Sequence, residues 1–99
     1  MIERTVAFSP EALDDLRQLY DWLADAAGPV TTLRYIERLE AYCRGFTTAS
    51  ERGHLREDIR PGLRIVGFER RVTIAFTVSE PNVTILRLFY GGQNWEPAL

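Results

Sequence analysis

Residues 2–8, IERTVAF, set Ile2, Arg4, Val6 and Phe8 against Glu3, Thr5 and Ala7. A period of two puts alternate side chains on one face, which predicts a first strand. The period changes at SPEALDD. Ser9 suits an N-cap and Pro10 the first helical position, while Glu11, Asp14 and Asp15 suit the positive end of a helix dipole. Leu13, Leu16, Tyr20, Leu23 and Ala27 then recur every three or four residues, as one stripe of a helix that Gly28 and Pro29 end. A second helix is predicted over about residues 30–47, with Ile36, Leu39, Cys43 and Phe46 as its stripe. A connection this short folds the two helices into an antiparallel hairpin.

Residues 47–62, TTASERGHLREDIRPG, are polar and read as a returning loop. Three segments rich in β-branched and aromatic residues follow, at 63–69, 71–79 and 83–90. Glu80-Pro81-Asn82 marks the turn between the last two. Glu69-Arg70 joins the first two, without the glycine or asparagine that would fix a register. The expected architecture is β-αα-βββ, an α+β fold of two layers in which an antiparallel sheet packs against an N-terminal helical hairpin.

Length makes residues 1–99 a single domain. No apolar run has the roughly 18–20 residues of a membrane span, and no signal-peptide pattern opens the chain. A lone Cys43 cannot form an internal disulfide and fits the cytoplasm. All twelve bases are arginine, so no lysine is on offer as a base or Schiff-base nucleophile. Residues 1–58 hold eleven acids and seven arginines, and residues 59–99 three acids and five arginines. The second part is where an anion would be met, but a net charge of −2 lacks the basic patch usual in nucleic-acid binders.

Few residues carry chemistry by their own pattern. His54 has nothing to orient it and reads as a solvated loop histidine. Cys43, on an apolar stripe, reads as a core residue. YGGQ lacks the Lys-Ser/Thr of a phosphate loop, and no cluster has metal-ligand spacing, so neither metal nor cofactor is expected. Arg64, Arg71 and Arg87 fall on three neighbouring strands, either as solvent-facing positions paired with Glu69 or Glu80, or as a functional set. Arg87 stands out because it interrupts the apolar run ILRLFY. Trp22 lies roughly 120° from the centre of its helical stripe, and Leu33 and Tyr42 lie off theirs, which suggests a covered surface. The closing stretch RLFYGGQNWEPAL pairs two glycines with amides and a tryptophan, either a packed lid or a docking site.

FSPEALDDL, RYIERLE, REDIRPGLRIVGF and VTILRLFYGGQNWE, in this order and spacing, resemble the ParE/RelE superfamily of toxins from type II toxin–antitoxin modules. The resemblance covers nearly the whole chain. It implies a toxin held silent by a cognate antitoxin in a hetero-oligomer, with operator DNA reached only through the antitoxin. RelE-like members cleave mRNA on the ribosome, and ParE-like members poison DNA gyrase with no chemical step of their own. Cleavage needs a base, cations on the phosphate and an acid. The resemblance matches one such cation to Arg71, with Arg64, Arg87 and Tyr90 as the other candidates were this a nuclease. Gly92 and Gln93 stand where a second cation is implied, and no C-terminal helix bearing tyrosine or histidine follows. Removing one such cation typically costs about 10²–10³ in rate. The expectation is therefore a ParE-like gyrase poison, with Arg87, Tyr90, Gln93, Asn94 and Trp95 docking the target. The antitoxin would cover Trp22, Leu33 and Tyr42. The alternatives are a RelE-like mRNase and a subunit that has lost toxicity and serves in antitoxin binding and repression.

Overall fold

A computed structural model describes residues 3–47, 52–79, 81–91 and 94–99. Strand β1 (Thr5–Phe8) leads into helix α1 (Pro10–Ala27), helix α2 (Pro29–Arg44) and a 3-10 turn (Gly45–Thr47). Strands β2 (His54–Leu55), β3 (Leu63–Phe68), β4 (Val72–Val78) and β5 (Asn82–Tyr90) follow, and a second 3-10 turn (Glu96–Ala98) closes the chain. The expected β-αα-βββ order and two layers are present. The expected start of the first strand at Ile2, and Glu80 of the last turn, lie outside the described residues.

The sheet order is β1-β5-β4-β3-β2. Two features depart from the expectation. The segment read as a loop contains β2, which pairs with Ile65 and Arg64. Gly53, just before it, has φ +73°, and a Cβ there would lie 2.1 Å from the Ile65 carbonyl oxygen. Only glycine lets β2 approach β3 so closely. The sheet is also mixed rather than antiparallel, because β1 runs parallel to the first half of β5, Thr5 opposite Asn82 and Phe8 opposite Ile85. A parallel neighbour needs a crossover, and the helical hairpin belongs to it.

β5 outruns β1, and α1 takes over the exposed edge. The Ser9 N–H donates to the Ile85 carbonyl at 2.9 Å. The Ser9 hydroxyl donates to the Leu86 carbonyl at 2.7 Å and accepts from the Ala12 N–H at 3.0 Å. The predicted N-cap thus also satisfies the strand edge.

The main core lies between hairpin and sheet. Ile36, Leu39, Cys43 and Phe46 are buried, as their spacing predicts. On α1 the buried positions are Ala12 and Leu19, with Leu16, Tyr20 and Leu23 packed at the margin, whereas Leu13 is 55% exposed. The stripe sits one residue earlier than its hydrophobicity suggests, since α1 turns Ala12, fully buried, toward the core beside β5. A second, small core lies on the outer face of the sheet. Leu63, Ala75 and Phe89 are buried there beneath Ile59, Ile65, Leu86, Trp95 and Leu99.

Candidate functional site

A register shift between Ala75 and Phe76 of β4 places Arg87 opposite Ala75 and Ile85 opposite Phe76. Arg87 consequently sits on the outer side, its guanidinium 4.9 Å from the Phe89 ring centroid, and meets Asp15 of α1 at the open edge of β5. Its Nε and Nη2 donate to the two Asp15 carboxylate oxygens at 2.8 and 3.1 Å, and this holds the guanidinium firmly protonated. Arg64 lies on the helix-facing side opposite Phe76, and its Nε donates to the Arg52 carbonyl at 3.1 Å. The suggested cross-strand partner Glu80 lies outside the described residues, and the carboxylate that meets Arg87 is Asp15, from a helix rather than a neighbouring strand. Glu69 is instead held by Arg38.

Arg71 precedes β4 rather than opening it. Glu69 and Arg70 adopt φ values of 49° and 61°, the left-handed geometry that suits a tight hairpin and normally selects glycine or asparagine. The Arg71 N–H closes the turn on the Phe68 carbonyl at 3.0 Å, and its own carbonyl accepts from the Gly91 N–H at 2.8 Å. The strained turn is steadied from outside. Arg38 Nε and Nη2 donate to the Glu69 carboxylate at 3.0 and 3.1 Å, which lowers the Glu69 pKa below the ordinary glutamate range.

This turn rims a cleft of about 410 Å³ between the sheet and the hairpin, lined by Leu23, Thr31, Thr32, Arg34, Tyr35, Arg38, Glu69, Arg71 and Tyr90, among others. Arg71 Nη1 donates to the Tyr90 hydroxyl at 3.3 Å. Burial, and then the Glu69 charge, push the Tyr35 hydroxyl above its ordinary range, so it keeps its proton. Trp22 packs on the far side of Tyr90, with ring centroids 4.8 Å apart. That pair divides the cleft from a second groove of about 600 Å³ lined by Glu11, Asp14, Asp15, Arg87 and Leu88, among others.

Of the four residues a nuclease would use, Arg71 and Tyr90 meet. Arg64, opposite Phe76, lies four residues along the sheet from Val72, the partner of Tyr90, about 13 Å at strand rise. Arg87 is on the other face. The docking set is similarly divided, with Tyr90 in the cleft and Arg87 and Trp95 outside. Trp95 is half-buried against Phe89, centroids 6.5 Å apart, with Arg56 5.6 Å from its ring centroid. Asn94 is exposed, and Gln93 lies outside the described residues. Trp22 and Leu33 are 58% and 52% exposed. Tyr42 differs from its sequence reading: it packs against the rings of Phe46 and Phe68 and belongs to the core margin. Arg34 and Arg38 were missed by that reading. Their spacing of four, two like charges on one helix face, was the available signal.

The model of a protein family, the ParE toxin of type II toxin–antitoxin systems, matches residues 6–95. The chain belongs to the ParE toxin family. Among solved structures, this ParE-family toxin is similar to a chain of the chromosomal ParDE toxin–antitoxin system of P. aeruginosa. That likeness has a TM-score of 0.77 at 22% identity, over 89% of this chain and 96% of that one. It is also similar to a chain of the RelBE2 toxin–antitoxin complex of Mycobacterium tuberculosis, with a TM-score of 0.65 at 17% identity, over 94% and 97%. Compared with curated proteins, the sequence has no match. Both structural likenesses establish the fold of this ParE-family toxin. Among its described residues no helix is long and apolar enough to cross a membrane.

Proposed function

We propose that this ParE-family toxin arrests growth by holding DNA gyrase in its DNA-cleaved state, with no chemical step of its own, and that a cognate antitoxin encoded beside it keeps it silent in a cytoplasmic hetero-oligomer. Operator DNA would be contacted through the antitoxin. The observation that carries this reading is the family match over residues 6–95, and the dispersal of the nuclease candidates supports it. Arg87 is neutralised by Asp15, and Arg64 lies far along the sheet from the one close pair, Arg71 and Tyr90. A pentavalent phosphate needs its cations and its proton-transfer groups within hydrogen-bond reach together.

A protein target also suits the surface. Trp22 and Leu33 offer large apolar side chains of the kind that anchor protein interfaces. Expression of the chain alone should stop growth, and co-expression of the antitoxin should restore it. The purified toxin should trap cleaved DNA with gyrase and leave mRNA intact on translating ribosomes. Normal growth with confirmed soluble toxin would favour the non-toxic subunit.

Ribosome-dependent mRNA cleavage is the second reading, favoured by the Arg71–Tyr90 contact inside an arginine-rimmed cleft. Codon-positioned mRNA cuts that vanish in Arg71→Ala would establish it and overturn the gyrase reading.

A further inference from the structure

Two buried hydroxyls in the cleft have no hydrogen-bond partner among the described residues. Thr32, 1% exposed, contributes Oγ1, and Tyr35 contributes its phenol oxygen. A buried polar group is expected to be paired, and each exception asks for a partner that completes it. Both side chains line the cleft bounded by Arg34, Arg38 and Arg71. Three guanidinium groups there face one carboxylate, Glu69, which Arg38 already engages through both oxygens. The cleft is therefore rich in donors and positive in charge, with its acceptor taken.

We propose that this cleft is a binding site for a carboxylate group. Such a group brings two acceptor oxygens with about four lone-pair sites and no donor, which matches two hydroxyl donors beneath the surface and a guanidinium fork at the rim. Arg71 supplies the fork, and Arg34 adds field from α2. A phosphate dianion fits less well, because its second charge would stand beside Glu69. The carboxylate can come from a free small acid or from an acidic side chain presented by a bound protein. Both share the recognition chemistry, and the site goes beyond the toxic activity proposed above.

The test uses the isolated full chain, so its failure leaves the toxin reading untouched. Binding is followed by amide chemical shifts at constant ionic strength, with sodium acetate, N-acetylglutamic acid α-amide, inorganic phosphate and chloride as probes. Saturable shifts confined to the neighbourhood of Thr32, Tyr35 and Arg71 are expected with both carboxylates and not with chloride. A tighter glutamyl probe assigns the source to a protein side chain, and a tighter acetate to a free acid. Thr32→Val and Tyr35→Phe should each weaken binding about tenfold, the loss of one hydrogen bond to a charged group. Thr32→Ser should retain binding, and Arg71→Gln, at an exposed rim position, should weaken it without touching the core. Tighter binding of phosphate than of either carboxylate would overturn the assignment. So would shifts no larger than those of chloride, or affinities unchanged in the valine, phenylalanine and glutamine variants.

Discussion

Asp15 and Arg87 form a bidentate ion pair across the open edge of the sheet, and the same Asp15 Oδ2 accepts the Leu88 backbone N–H at 2.9 Å. One carboxylate thus neutralises an arginine set among apolar residues and satisfies a strand edge that β1 is too short to cover. The Asp15 side chain is only 11% exposed and that of Arg87 29%, so the pair is screened far less than a surface contact. Asp15→Ala should cost about 3 kcal/mol in urea unfolding, because it leaves a part-buried charge and an orphan N–H. Asp15→Asn should cost about half as much, since the amide oxygen still serves Leu88. A loss below about 0.5 kcal/mol for the alanine variant would show the pair to be ordinary surface decoration.

Burial on the α2 stripe raises the Cys43 thiol pKa from 9.0 to about 12, with the Glu40 charge adding to it. The folded thiol should resist alkylation at pH 8 while the unfolded chain reacts. The linkage has a definite sign. Between pH 9 and 12 the unfolded state loses this proton and the folded state keeps it, so stability falls as pH rises, by up to about 1.4 kcal/mol per unit. Denaturant curves from pH 7.5 to 10.5 should show this slope in the wild type. Cys43→Ala, although less stable throughout, should lack that component. Parallel slopes would mean that the thiol ionises in place.

The parts of the fold that were legible in the sequence are those with a local cause. Ser9 and Pro10 open α1, Gly28 and Pro29 separate the helices, and the α2 stripe is buried where its spacing puts it. The family resemblance rested on motifs along the whole chain, and residues 6–95 match the family model. What escaped has a non-local cause. Ala12 outranks Leu13 as a core residue because β5 lies close by, a distance that no helical count contains. The pairing of β2 depends on Gly53 facing Ile65. Arg71 and Tyr90 lie nineteen residues apart in sequence and meet only through the pairing of β4 with β5. Arg38 gained meaning once the β3–β4 turn brought Glu69 to it, and Arg34 once the cleft formed that both arginines line.

Trp22 is the exposed aromatic on which the proposed antitoxin interface most depends. More than half exposed and touching Tyr90 on one side, it contributes little to the core. Trp22→Ala should therefore leave unfolding within about 1 kcal/mol of wild type, yet weaken the toxin–antitoxin complex by about 2 kcal/mol or more if it is a hot spot. Leu33→Ala should act in the same direction with a smaller effect. Tyr42→Ala should chiefly lower stability, because its ring packs on Phe46 and Phe68. Calorimetric titration with the antitoxin separates these outcomes, and an affinity unchanged by Trp22→Ala removes that residue from the interface.

Trp95 raises a sharper question, since the tail both covers and displays. Its ring lies over Phe89 on the outer face, and Arg56 spans Asp58 and Glu96 beside it with contacts of 2.8 and 2.7 Å. Removing the ring uncovers Leu63, Ala75 and Phe89, so Trp95→Ala should cost about 2 kcal/mol, less than a fully buried tryptophan would. Loss of toxicity in that variant would be ambiguous, because a loosened tail also displaces Asn94. Trp95→Phe resolves it. Phenylalanine keeps an aromatic surface on Phe89 but removes the indole N–H. If the tail docks gyrase through that group, Trp95→Phe should abolish growth arrest at near wild-type stability and with antitoxin binding intact. Full toxicity in Trp95→Phe, combined with a destabilised Trp95→Ala, would make the tryptophan a staple for the outer core and move the target contact elsewhere on the toxin.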